Sequence, residues 1–130
     1  MGLEIDKTVQ YWLEGAQYDL ETGKSLIEAK RFPYSLFFGH LATEKLLKAF
    51  FVKNRRKHAP YSHSLTFLAE ESGLGASEEI MDKLAEFTEF NIEARYPEEQ
   101  KKFYEKCTQE FAEKKFEEIE EVYQWLHQKL

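Results

Sequence analysis

The segment from Tyr34 to Lys53 constrains the fold more than any other part of the chain. Its apolar residues Leu36, Phe37, Phe38, Leu41, Ala42, Leu46, Leu47, Ala49, Phe50, Phe51 and Val52 cover most of a helix's circumference. A helix with one neighbour needs a single apolar stripe, whereas one that is apolar nearly all round is buried by several. The segment therefore predicts a central helix with other helices around it. Its polar residues gather on one stripe: His40, Glu44 and Lys48 stand at i, i+4 and i+8, with Lys45 beside them. Charges on so apolar a helix cost desolvation unless they are paired or used.

The flanking sequence supplies those neighbours. Val9, Trp12, Leu13, Ala16, Leu20 and Ile27 recur at helical spacing after Asp6, with Gly23 on the same stripe. Pro33 ends the break that follows. Ser64 to Glu71 reads as a short helix closed by Gly73, and Ser77 as the cap of a fourth containing Ile80, Leu84 and Phe87. Thr108 opens a last helix with Ala112, Phe116, Ile119, Tyr123 and Leu126 inward, and with Phe111, Val122 and Trp125 off the main stripe. That second edge fits either a wider core face or a partner surface. Between Asn91 and Lys106 no helix is assigned, because Pro97 disfavours helix in the residue before it. The expectation is an all-α, up-and-down antiparallel bundle of about five helices, with residues 1–130 as a single domain.

Composition fits such a fold. With 42% hydrophobic and 15% aromatic residues, the 130-residue chain has the apolar material for one core. Acidic residues through the first helix (Glu4, Asp6, Glu14, Asp19, Glu21 and Glu28) are incompatible with a secretory signal. No apolar run reaches the length of a membrane span. The single cysteine, Cys107, is consistent with a reducing compartment. A soluble, cytoplasmic protein with no membrane contact is expected.

Net charge is −6, yet from Lys45 to Lys57 there are six basic side chains and no acidic one. A basic patch on an acidic chain suits a phosphate-bearing ligand. Motifs for other chemistries are missing. Gly73-Leu74-Gly75 lacks the third glycine and preceding strand of a dinucleotide loop. His40 and Glu44 have no second pair at ligand spacing, so neither metal nor cofactor is expected. Cys107 has no basic activator nearby. Three features remain: the His40, Glu44, Lys45 and Lys48 stripe; Arg55, Arg56, His58 and His63 around a loop containing Pro60; and Arg95-Tyr96 before Pro97. Arginine supplies bidentate phosphate contacts and tyrosine a face for base stacking.

In order, Ser35-x-Phe37-x-x-His40-Leu41-Ala42-x-Glu44-Lys45-Leu46-Leu47-Lys48-Ala49, then His63-Ser64-Leu65-x-x-Leu68, Ala94-Arg95-Tyr96-Pro97 and Thr108-x-x-x-Ala112 resemble the HEPN domain across nearly the whole chain. The resemblance implies a homodimeric helical bundle that binds nucleotide or RNA. Such a bundle is often the non-catalytic partner of a minimal nucleotidyltransferase in a toxin–antitoxin type pair. The phosphate-binding set would then be Lys45, Lys48, Arg55, Arg56, His63, Arg95 and Tyr96, supported by His40 and Glu44. Many members of the family are metal-independent ribonucleases using an arginine, four to six residues and a histidine at the dimer interface. Arg56 and His63, with six residues between them, give an alternative reading as an endoribonuclease toxin, although the family's motif opens a late helix and this one lies in the second connection. A purely structural partner subunit is a further alternative.

Overall fold

The computed structural model describes residues 3–130, which form six α-helices and no strand among the described residues. They are α1 (Ile5–Glu28), α2 (Phe32–Arg55), α3 (Leu65–Ser72), α4 (Glu78–Thr88), α5 (Pro97–Lys106) and α6 (Gln109–Gln128), with a 3-10 turn at Ile92–Ala94. The all-α bundle is as the sequence implies, with one helix more than the expected five. The extra helix, α5, begins at Pro97. Proline is favoured at the first helical position, where its missing N–H would be unpaired anyway, so Pro97 starts a helix instead of stopping one. Gln100 ties the new helix down by donating to the carbonyls of Ile92 and Arg95. The same preference puts Pro33 inside the first turn of α2.

α2 lies at the centre and packs against α1, α3, α4 and α6. Fifteen of its residues are buried, including Leu36, Leu46, Leu47 and Val52. α1 returns antiparallel along it, burying Ala16, Asp19, Leu20 and Gly23. α6 approaches both helices where they lack side chains. A Cβ built on Gly23 would lie 2.7 Å from Phe116, and one on Gly39 would lie 2.7 Å from Ile119. Two glycines on neighbouring helices thus make room for two large residues of the last one. Hydroxyl caps fix the starts of three helices: Ser64, Ser77 and Thr108 accept from the backbone N–H of Phe67, Ile80 and Phe111.

The connection after α2 positions the site. It doubles back along α2 instead of leaving from its end. His63, just before α3, meets Glu44 in the middle of α2, whereas Arg55 and Asn54 at the end of α2 meet the carbonyls of Glu71 and Ser72 at the end of α3. α3 therefore runs in the same direction as α2. Its start is set beside the end of α4, where the Leu65 N–H donates to Thr88 Oγ1.

The off-stripe edge of α6 is used largely within the chain. Val122 is buried, and Phe111 and Trp125 pack against the core. Phe111 meets Phe90 edge-on, with the ammonium groups of Lys106 and Lys115 over its ring. A wide core face accounts for these three residues.

Candidate functional site

The polar stripe of α2 forms a connected network. Each oxygen of the buried Glu44 carboxylate has its own partner: Oε1 accepts from His63 Nδ1 at 2.8 Å and Oε2 from Lys48 Nζ at 3.0 Å. Glu44 and Lys48 are i and i+4 on one helix, the orientation that favours the pair. Lys48 also lies over the Trp12 ring, 5.2 Å from its centroid, so its charge is held by a carboxylate and by an aromatic face. Lys45 points the other way, to Asp19 of α1, whose Oδ2 lies 2.7 Å from its Nζ.

His40 completes the network from below. It is fully buried, and its Nε2 lies 3.0 Å from the His63 carbonyl oxygen. A carbonyl only accepts, so Nε2 carries the proton and donates. The other nitrogen, Nδ1, has no partner. Burial pushes the His40 pKa below its ordinary value, against smaller upward pulls from that hydrogen bond and from Glu44. An imidazole without water or a partner at one nitrogen is held neutral.

His63 is thus gripped twice, at its ring by Glu44 and at its backbone by His40, while its side chain remains 48% exposed. Its exposed side lines a cleft of about 330 Å³ with Ser64, Thr88, Glu89, Asn91, Ala94, Arg95 and Glu99. Arg95 lines the same cleft. Its Nε donates to the Glu89 carbonyl at 2.8 Å, and Nη1 lies 3.4 Å from Glu99 Oε2, a weak and half-exposed contact. The guanidinium is therefore oriented through one edge, with donors left over.

The remaining basic residues lie elsewhere. Arg55 caps α3, donating through Nε to the Glu71 carbonyl at 2.8 Å. Arg56 ends α2 in the left-handed conformation, with φ 58°, and is exposed. At 1.5 Å per residue it stands about 18 Å along the helix from Glu44, which holds His63. Tyr96, at the start of α5, is 78% exposed and does not line the cleft. Of the expected set, His63 and Arg95 are brought together, with Glu44, Lys48 and His40 behind His63. Lys45, Arg55, Arg56 and Tyr96 are not.

Two participants escaped sequence reasoning. Asp19 stands on the apolar stripe of α1, three residues after Ala16 and four before Gly23, and a carboxylate there signals a partner on the neighbouring helix. Trp12 stands on the apolar stripe of α1, and nothing in its spacing marks it as a seat for Lys48. Among the described residues no three His, Cys, Asp or Glu side chains converge on a metal position. No helix among them is long and apolar enough to cross a membrane.

The family model of the HEPN domain matches residues 9–130. The chain belongs to the HEPN domain family. Its fold is also that of a crystal structure of TT1696 from Thermus thermophilus. The two superpose with a TM-score of 0.78 over 94% of this chain and 98% of that one, at 18% identity. No curated protein sequence matches at a significant level. At that identity the likeness speaks for the fold alone. Within this HEPN bundle the residues that carried the sequence resemblance divide by location: His40, Glu44, Lys48 and His63 form one network, and Arg95 lines the same cleft as His63.

Proposed function

We propose that this HEPN chain binds a nucleotide, free or within RNA, in the cleft between His63 and Arg95. The observation that carries the reading is the convergence of these two side chains, far apart in sequence, on one concave site while each is oriented from behind. Arg95 is suited to a phosphate. Its one partner with a full charge, Glu99, is half-exposed and at 3.4 Å, so a phosphate carrying more charge displaces it. The proposed molecule is a homodimer that acts as the non-catalytic partner of a minimal nucleotidyltransferase, as is frequent in the family.

The ribonuclease alternative needs Arg56 and His63 on one phosphate. Within a protomer Arg56 stands about three helical turns from the carboxylate that holds His63, so the two residues would have to come from different protomers. The binding reading makes no such demand.

Titration with adenosine monophosphate and a short single-stranded RNA tests the proposal. Arg95→Ala is expected to lower affinity by about 1.5–3 kcal/mol, the range for a hydrogen bond to a charged group. Arg56→Ala should leave it unchanged, and Glu99→Gln should raise it. Binding to RNA should weaken with added salt, because phosphate contacts release counterions. Unchanged affinity in both Arg95→Ala and His63→Ala, with the fold intact, would reject the cleft. Light scattering tests the dimer: a monomer at micromolar concentration refutes it. The partner reading fails if co-expressed minimal nucleotidyltransferase elutes separately from this chain.

A further inference from the structure

His63 is the one residue of the cleft held at two points by side chains that are themselves buried. Glu44 grips its Nδ1 at 2.8 Å, and His40 donates to its carbonyl at 3.0 Å. Glu44 has little freedom to move, since its second oxygen is bound to Lys48 at 3.0 Å, and Lys48 rests on Trp12. A carboxylate accepts only, so the ring nitrogen facing it carries the proton. In neutral imidazole the proton then resides on Nδ1, and Nε2, across the ring, holds a lone pair. With Nδ1 turned to a buried group, Nε2 on the far side of the ring is left for the half-exposed part of His63, a residue that lines the cleft.

We infer that Glu44 is a positioning residue that fixes His63 as its Nδ1–H tautomer, so that Nε2 accepts a hydrogen bond from a ribose hydroxyl while Arg95 takes the phosphate. The division follows from donor chemistry. A phosphate dianion offers acceptors only and matches arginine, which has donors only. An Nε2 lone pair needs a donor, and the ribose hydroxyls are donors carried by every ribonucleotide. The cleft would thereby prefer ribonucleotides to their dideoxy counterparts. The ligand half of this inference rests on the nucleotide-binding reading above, and the tautomer half does not.

The test has two arms. In the first, nitrogen-15 spectra of the ligand-free full chain are recorded at pH 8, above the ordinary histidine range. The expected His63 pattern is a pyrrole-type Nδ1 and a pyridine-type Nε2, reverting toward the mixture found in free histidine in a variant that carries Glu44→Leu with Lys48→Met and so has no acceptor at this position. His40→Gln, which can still donate to the His63 carbonyl, should leave the pattern in place and serves as a control for general disturbance of the network. A wild-type pattern with the proton on Nε2, or one unmoved by Glu44→Leu with Lys48→Met, overturns the positioning role whatever the protein binds. In the second arm, adenosine monophosphate is compared with its 2′,3′-dideoxy counterpart. Wild type should prefer the ribonucleotide by roughly 3- to 10-fold, the value of one hydrogen bond, and His63→Ala should lose the preference. Equal binding of both compounds by wild type refutes the hydroxyl contact even when the tautomer is as expected. Absence of binding by either rejects the nucleotide reading and leaves the result of the first arm for Glu44 intact.

Discussion

Truncating Glu44 should be among the most damaging single changes available in this bundle. The carboxylate is buried, and so is Lys48, whose side chain is 8% exposed and whose ammonium depends on Glu44 Oε2 at 3.0 Å. Glu44→Ala removes the counter-charge without giving Lys48 a route to water, and it also frees the His63 ring. Removing one partner of a buried ion pair costs about 3–5 kcal/mol, because the other charge stays desolvated. The Trp12 face beneath Lys48 recovers part of this, since a cation–π contact is worth about 0.5–2 kcal/mol, so the lower half of the range is expected. For a chain of 130 residues, a loss of 3–4 kcal/mol lowers the melting temperature by roughly 10–15 °C. Thermal and urea denaturation followed by circular dichroism give the value. The companion variant carries Glu44→Leu with Lys48→Met. Replacing both charges by apolar groups of similar volume is often neutral or stabilising, so the double variant should recover most of the stability lost in Glu44→Ala. A Glu44→Ala protein within about 1 kcal/mol of wild type would refute the reasoning, since it would mean that Lys48 reaches solvent freely.

The glycines under α6 should behave differently from each other. Gly23→Ala places a Cβ 2.7 Å from Phe116 and 3.0 Å from the Ser35 carbonyl, a rigid ring and a backbone atom, so the expected overpacking cost of about 1–3 kcal/mol outweighs the gain in helix propensity. Gly39→Ala meets chiefly the Ile119 Cδ1 tip, which can rotate, and calorimetry should find it the milder change. Arg56→Gly removes a non-glycine residue from a left-handed position at φ 58° and should raise the unfolding free energy by about 1 kcal/mol; no gain would mean the Arg56 side chain stabilises the loop. Acid should expose His40. Its folded pKa is lowered, chiefly by burial, so its contribution is complete above the unfolded value near 6.5. It falls by up to about 1.4 kcal/mol per pH unit from there down to the folded pKa. Unfolding free energies of wild type and His40→Gln should therefore converge between pH 7 and pH 5, and parallel curves would contradict a neutral buried histidine.

Much of the bundle was legible because burial writes itself into helical spacing. The apolar wrap of α2, the stripe of α1 and the hydroxyl caps at Ser64, Ser77 and Thr108 are each local features, and each appears where its spacing implies. α5 was not legible, since Pro97 punctuates a chain in two ways: it can end one element or begin the next, and only the packing of Phe103 beneath it decides. The site was legible in its residue types and much less in its assembly. His40, Glu44 and Lys48 share one face by periodicity, so their association needed no tertiary information. The arrival of His63 did, because loop 56–62 doubles back along α2 and sets His63 beside Glu44, far from its sequence neighbour Arg56. That one reversal separates Arg55 and Arg56 from His63 and its cleft.

The central claim is that the ligand lies between His63 and Arg95, and chemical-shift mapping tests it most directly. Backbone and side-chain resonances of the nitrogen-15-labelled full chain would be followed during titration with adenosine monophosphate at low salt. The account predicts saturable shifts centred on His63, Ser64, Thr88, Asn91, Ala94 and Arg95, with little change at Arg55, Arg56 and Lys57. Shifts concentrated on the 55–57 loop, or none at millimolar nucleotide, would contradict it.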